Sequence, residues 1–573
     1  MGSVHPALPM LLGSLLLPFL GPRLRKPLLV ALPLLGLVNL ALHPFVEGGS
    51  VDVFVTFAGI ELHVLRYDAL ARLFAVLFHV AALVGAIYVL HVKDRWQHVT
   101  GIAYAGSAVG TVLAGDLFTL FLCWELLAVT SVFQIWARGT TESRHSGIRY
   151  LLAHVLSGLL LLLGAAFFFR EHGHFAFDAM TLDSTATWLI FLAFGIKVGF
   201  PVAHTWIVDA YPASTSTAPL FLSAFSTKAS VYCLARGFAG TELLIFIGAS
   251  MCIFPIFYAV IENDLRRVLS YSMINQIGFM VVGIGIGTSL AINGAVGHVF
   301  AHVIYKGLLF MSMGAVHYRL GTTKGTELGG LYKTMPWTTL FCIIGAASIS
   351  AVPLFSAFIT KSMILVAAAE QDLTWVWLVL LFASAGVLEH AGIKVPYFAF
   401  FAHDSGKRPK EAPLNMRVAM GISSVICIAI GVFPALIYAL LPSEPLLADG
   451  THYHAWSLTH VVTQLQLLVF AALGVFGLML LRKYPAEVPA VNVDADVLWR
   501  KGVVGLWRRL LGPLFQALSD AKERALAWLP RQAVTVFGER IPRMALFQEW
   551  AAGSIVALVT VFLAAYLALQ FFT

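Results

Sequence analysis

The sequence predicts an all-α polytopic membrane protein: about sixteen transmembrane helices, with a lateral amphipathic helix near the C-terminus. Three observations carry this reading. Hydrophobic residues make up 59% of the chain and charged residues only 12%, against about 25% charged in a soluble domain. Apolar runs long enough to cross a bilayer follow one another with no room between them for a sizeable soluble domain. Lysine and arginine collect in alternate connections, as they do when one side of a membrane retains the positive charge. The net charge of +7 therefore reports topology before it reports an acidic partner such as nucleic acid, for which no motif is present. All five cysteines lie in apolar stretches without CxxC spacing, which suits small core residues better than disulfides or cluster ligands.

Taken in order, the first two helices occupy roughly 5–20 and 26–43. The first lacks the basic leader and small-residue cleavage site of a signal peptide, so it reads as a spanning helix. "VDVFVTFAGIELHVLRYD" alternates and reads as a hairpin outside the membrane. Helices three to eight cover about 68–92, 98–115, 117–137, 148–170, 186–208 and 217–236. Helices nine to fourteen cover about 241–262, 266–287, 291–317, 337–369, 373–402 and 414–441, and the fifteenth covers about 457–481. Segment 494–548 mixes Trp, Leu and Val with Arg and Lys, the pattern of a helix lying along the membrane surface. Pro513, Pro530 and Pro542 divide it. A solvated linker is the alternative, which its aromatic content disfavours. A sixteenth helix, about 550–572, anchors the end. The basic loops place both termini outside and the Arg138, Arg266, Arg319 and Lys407 loops in the cytoplasm.

Soluble-enzyme motifs are missing: there is no Walker sequence and no HExxH, and "GIGIG" at Gly283–Gly287 lies in an apolar run rather than after a strand. Instead, ionisable residues interrupt the helices. Glu125 sits in "LFLCWELLAVTSVF", Lys197 in "FGIKVGFP", Lys228 in "LSAFSTKASVYCL" and Lys361 in "SAVPLFSAFITK". His298, His302 and Lys306 share one helix face at i, i+4, i+8. Glu389, His390 and Lys394 follow in "GVLEHAGIKVP". A mid-membrane charge costs roughly 2.5–3.5 kcal/mol on insertion scales, so leucine would serve packing better. Taken singly, each residue also fits a structural ion pair or a satisfied core histidine. A zinc site is disfavoured because no third ligand is evident and Lys306 would repel the cation. Together they form a row of titratable groups such as a proton relay needs. A buried lysine gives up its proton more readily, and a nearby carboxylate reverses that. Pro201 and Pro353 lie near two of the lysines, where a broken helix supplies room for water and movement. "AHVLSGLLL" from Ala153 and "AHVIYKGLLF" from Ala301 each lie one helix before such a break, a weak internal repeat of the kind that flanks a transport pathway.

"WELLAVTS", "GIKVGFPVAHTWIVDAYPASTSTAP", "NDLRRVLSYSMINQIGFM" and "HVFAHVIYKGLLFMSMGAV" together resemble the antiporter-like proton-translocating subunits shared by Mrp cation/proton antiporters and respiratory complex I. The resemblance covers about 68–402 and implies two inverted five-helix repeats with broken helices. It implies that Glu125 pairs with Lys197, that Lys228 bridges the halves, that His298, His302 and Lys306 connect them, and that Lys361 ends the second half-channel. His204 and Asp209, in the H-T-W-x-x-D-A segment, and Glu389, His390 and Lys394, where the family pattern is less fixed, have possible relay or gating roles. The implied divisions are 1–67, 68–236, 237–402, 403–493, 494–548 and 549–573. The C-terminal extension and Lys361 resemble the largest complex I subunit of this type, whereas Lys228 and "FFAHDSGKRP" resemble D-type Mrp subunits. The favoured expectation is a proton-translocating subunit of a multisubunit Na⁺/H⁺ antiporter in the inner membrane, working with other hydrophobic subunits, lipid, H⁺ and Na⁺. The alternatives are a pumping subunit of a complex I-type quinone reductase and a proton-driven module for inorganic-carbon uptake. No cofactor, metal or catalytic site of its own is expected; were the parent complex I-type, the chain would be a translocase.

Overall fold

The computed structural model describes residues 5–42, 49–57, 59–481, 483–484, 488, 492–503 and a few single positions up to 520. The chain divides into two compact units, Met1–Asn492 and Val493–Thr573. In the second, one π-helical stretch, Leu498–Val503, is described, with Arg500 paired to Asp496 at 2.6 Å. Almost all of the expected lateral segment 494–548, and the whole of the anchor helix 549–573, lie outside the described residues.

The first unit opens with α1 (Leu8–Leu16) and α2 (Pro22–Leu42), then an antiparallel hairpin of β1 (Val51–Phe57) and β2 (Ile60–Tyr67). The first half continues with α3 (Ala69–Tyr88), α4 (Arg95–Leu113), α5 (Leu117–Trp136), α6 (Thr141–His172), α7 (Thr185–Val198), α8 (Thr205–Ala213), α9 (Ala218–Ala224) and α10 (Ser226–Gly237). The second half holds α11 (Leu243–Ile261), α12 (Leu265–Ile286), α13 (Ser289–Leu320), α14 (Pro336–Ile349), α15 (Ser356–Glu370) and α16 (Thr374–Val387). From α16 the chain runs on through π-helical Leu388–Ile393, α17 (Lys394–Pro396) and π-helical Tyr397–Phe401. Then come α18 (Leu414–Val432), α19 (Ala435–Tyr438) and α20 (Leu458–Leu480).

Local sequence sets the helix ends. Asp68, Asp94, Asp116 and Asp264 cap α3, α4, α5 and α12 by accepting from first-turn amides. Thr140 and Ser184 build capping boxes on α6 and α7. Among the described residues ten helices are long and apolar enough to cross a membrane. The count of sixteen is not reproduced: three runs that read as continuous are split, the first is short, the fourth is not apolar enough, and the sixteenth lies outside the described residues. The run 186–208 divides into α7 and α8, 217–236 into α9 and α10, and 337–369 into α14 and α15. Each fragment is shorter than a full span, since the break spends residues that a straight helix would use for length.

The connections gather at two ends. At one, Arg138 donates to the Pro212 carbonyl, Arg266 to those of Tyr211, Ser214 and Thr215, and Lys333 pairs with Asp404. At the other, β2 meets the start of α5 through Gly115 N–H to the His63 carbonyl, and Arg66 pairs with Asp178. α6 begins at the basic end and α13 at the hairpin end, so the two 32-residue helices run in opposite directions, as inverted repeats require. α13 is the spindle of the molecule, buried throughout its most apolar window, with α12 nearly so. Lipid gives helices no hydrophobic reason to associate, so close packing must do it. Between α11 and α12, a Cβ on Gly248 would stand 2.6 Å from the Val282 nitrogen, and one on Gly278 2.7 Å from the Cys252 nitrogen.

Candidate functional site

A row of buried polar groups crosses the middle of the first unit. It starts where α5, α6 and α7 meet. Lys197, the penultimate residue of α7, is fully buried; its ammonium donates to the Trp124 carbonyl at 2.7 Å and lies 3.9 Å from that indole's centre. The indole N–H donates to Ser157 Oγ, which donates to the Ala193 carbonyl on α7. The next residue, Glu125, reaches toward α6, where a Cβ on Gly158 would stand 1.6 Å from Glu125 Oε1. Only glycine leaves that notch. Glu125 Oε1 is buried and makes no protein hydrogen bond.

The break after Lys197 is built from Gly199 (φ 89) and Val202 (φ 73) around Pro201. A β-branched residue with left-handed φ is strained, by roughly 1–3 kcal/mol. The Trp206 indole donates to the freed Ile196 carbonyl at 2.9 Å.

Across α10, buried Lys228 donates to Thr227 Oγ1 at 3.0 Å. α13 then supplies three groups. Lys306 donates to Ser272 Oγ at 2.8 Å. Both nitrogens of His302 are buried without a protein partner, its ring centre 5.2 Å from that of Tyr305. His298 contacts Thr360 Oγ1 through Nδ1 at 3.0 Å and Gln276 Oε1 through Nε2 at 3.2 Å. Thr360 adjoins Lys361, whose ammonium donates to the Ile349 carbonyl at 3.3 Å and lies 4.7 Å from the centre of the Phe279 ring. The row thus pairs ammonium groups with carbonyls, hydroxyls and π-faces, which hold cations without fixing a single proton position. Among the described residues no cluster of three or more His, Cys, Asp or Glu could hold a metal.

Residues 114–388 match the family described as NADH:quinone oxidoreductase/Mrp antiporter, transmembrane. This stretch is similar to the antiporter-like membrane domain of that family. The chain is 28% identical over 491 residues to the A/B component of a probable K⁺/H⁺ antiporter of Rhizobium meliloti, covering 78% of this chain and 49% of that protein. It is 32% identical over 279 residues to the D component of a Na⁺/H⁺ antiporter of Alkalihalophilus pseudofirmus, covering 45% of this chain and 56% of that one. The chain therefore spans about half the length of these curated relatives. Its fold matches a chain of the Mrp complex from Dietzia sp. DQ12-45-1b with TM-score 0.70 at 19% identity, covering 84% of this chain and 99% of that one.

The remaining expected residues lie off the central row. Asp209 on α8 takes a bidentate ion pair from Arg149 on α6, at 2.7 and 2.9 Å. His204 is buried, its ring centre 4.6 Å from that of Phe254. Lys394 donates to the carbonyls of Ala259, Val260 and Glu262, three acceptors at the end of α11. It acts there as a cationic cap on that helix. Glu389 accepts from the Tyr484 hydroxyl, and His390 is buried, its ring lying against the Gly386 carbonyl.

Sequence reasoning missed Trp124, Gly158, Thr360, Gln276 and Ser272, which hold or shape the row. All five lie inside the quoted stretches, Gly158 in the G-L-L of the repeat, but none was singled out. His154 was visible in that repeat but not singled out; it is fully buried, stacked on Tyr150 at 3.9 Å between ring centres. At the basic end, Arg408 and Lys333 hold the Asp404 carboxyl far below the usual carboxylate range.

Proposed function

We propose that the chain is a proton-translocating subunit of a multisubunit monovalent cation/proton antiporter in the cell membrane. The observation that supports this reading is the burial of six titratable groups, Lys197, Lys228, Lys306, His302, His298 and Lys361, on helices that pack together, with the half-buried Glu125 at the Lys197 end. The antiporter names of the related proteins support it.

A proton arriving at Glu125 changes the field at Lys197, one residue from its carbonyl contact. A proton leaving Lys197 changes it at Lys228 and onward. Each buried amine costs less to discharge when its neighbour gains charge, so protonation states are passed along rather than stored. The breaks beside Lys197 and Lys361 let backbone and side chains rearrange as charge moves. The cargo assigned to this row is the proton. Sodium is the cation read for the assembled complex, and neighbouring hydrophobic subunits supply the rest of its path.

A second reading, the pumping arm of a redox-driven quinone reductase, is favoured by the family description, which names both kinds of complex. In it the same row works and another chain supplies the energy.

The test is proton and sodium movement in vesicles holding the assembled complex, with wild type set against Lys197→Ala. Loss of exchange from an intact complex is the expected result. Unchanged exchange would reduce Lys197 to a structural group and overturn the relay.

A further inference from the structure

The central row leaves one buried histidine unused. His390 stands on the π-helical stretch that continues α16, a geometry that often marks functional positions. The stretch packs against α11, α12, α14 and α20. Both imidazole nitrogens are buried, the ring lying against the Gly386 carbonyl without a well-formed hydrogen bond, and the hydroxyls of Ser350 at the end of α14 and of Ser384 on α16 are buried without one, as is that of Ser348, which lies against Cys427. Buried polar atoms are rarely left unpaired, and these four residues lie on elements that pack against one another. They lie beside the second broken helix. Ile349, between the two serines, is the residue whose carbonyl accepts from Lys361. Ser350 reaches the π-helical stretch itself: a Cβ on Gly392 would stand 2.2 Å from Ser350 Oγ. A cavity of about 300 Å³ opens beside Ser350 and Tyr397, its wall otherwise mainly apolar and not including His390. On the far side of His390, Glu389 takes the Tyr484 hydroxyl, and Lys394 is docked on the end of α11 at the basic face.

We propose that His390 carries protons between Lys361 and Glu389, giving the second half of the domain an access branch to the basic face. This rests on the relay reading of Lys361. The transfer balances as a proton hop. The Lys361 ammonium releases H⁺ through the Ser350 and Ser348 hydroxyls and water to one imidazole nitrogen. The opposite nitrogen passes its own proton to the Glu389 carboxylate, and the ring returns neutral as the other tautomer. Lys361 is left as a neutral amine, ready to be recharged from His298. Such a hop requires one nitrogen to accept while the other donates, and His390 has no well-formed protein hydrogen bond that would fix either.

The experiment is exchange by the assembled complex in vesicles, comparing wild type, Lys361→Ala and His390→Gln. Glutamine preserves polarity and approximate size but cannot relay a proton by switching tautomer. His390→Gln is expected to slow exchange at least tenfold in an intact complex. If Lys361→Ala is inactive and His390→Gln runs at the wild-type rate, the branch is overturned and the relay stands. If both run at the wild-type rate, the relay falls too. A second measurement does not depend on activity: Ser350→Cys is exposed to a charged methanethiosulfonate from each side, against the unsubstituted chain. Labelling from the basic face alone is expected. Labelling only from the hairpin face, or from neither, overturns the branch even if His390→Gln fails to assemble.

Discussion

The two broken helices solve one problem in different ways. In the first, α7–α8, the lysine precedes the break and turns away from it, donating to Trp124 on a neighbouring helix while the Trp206 indole satisfies the freed Ile196 carbonyl. In the second, α14–α15, the lysine follows the break and turns back, so that Lys361 itself donates to Ile349 and Gln464 donates to the Ser350 carbonyl. Both breaks hold non-glycine residues at left-handed φ, Val202 in one and Ala351 and Leu354 in the other. The first half thus separates the charge carrier from the joint, and the second makes it part of the joint. A carrier with a carboxylate close by can be tuned electrostatically. One that also closes a backbone gap ties its charge to local shape.

That contrast can be broken by experiment. The largest effect is expected from Lys361→Ala and Lys197→Ala, each of which should abolish exchange. Lys361→Ala should also lower the thermal stability of the purified chain by about 1–3 kcal/mol, because it strands the Ile349 carbonyl. Lys197→Ala leaves the Trp124 carbonyl in its helical ladder. Equal melting temperatures for the two variants would erase the distinction between the halves.

Next comes Gly158→Ala, which drives a methyl into Glu125 Oε1. Exchange should fall tenfold or more, and Glu125→Asp in the same chain should recover stability without restoring the rate, as read by melting and vesicle flux. Trp206→Phe keeps the ring but removes the donor to Ile196. A cost of about 1 kcal/mol is expected, with faster amide exchange at Gly199–His204 and none at Ser350–Phe355.

How much of this was legible beforehand depends on the kind of signal. The breaks at Pro201 and Pro353 announce themselves, because proline and a lysine in an apolar run both break local rules. The break at Phe225, between α9 and α10, carries no proline; tertiary packing imposes it, and no local pattern could reveal it. The charged members of the row are conspicuous for their cost in lipid. Their neutral partners are not: serine, threonine and glutamine in a membrane helix look alike whether they face a relay or bond their own backbone. Asp209 read as a gating group, yet its Arg149 partner lies 60 positions away on another helix, a pairing that spacing cannot disclose.

The smallest expected effect lies at the basic end, where Asp404 ties Lys333 to Arg408. With its carboxyl held below the ordinary range, this tie is fully present above the unfolded value of about 3.9. It is lost only as pH falls through the lower folded value. Asp404→Asn should loosen 402–413 at neutral pH, read as faster hydrogen exchange there, without altering flux. Protection in wild type that fades already near pH 4 would contradict the tie.

The opposed 32-residue helices carry an electrical consequence. His154 and His302 are each the fourteenth residue of their helix, about 20 Å from its start at 1.5 Å per residue. Since α6 and α13 start from opposite faces, helices standing along the membrane normal with matched ends place the two rings at depths differing by about 8 Å. Charge handed from the α6 neighbourhood to that of α13 would cross about a quarter of a 30 Å hydrocarbon layer. At 2.3 kcal/mol per charge per 100 mV, that is about 0.6 kcal/mol for each 100 mV of membrane voltage. The handover between the halves would then be voltage-dependent, although it runs mostly sideways.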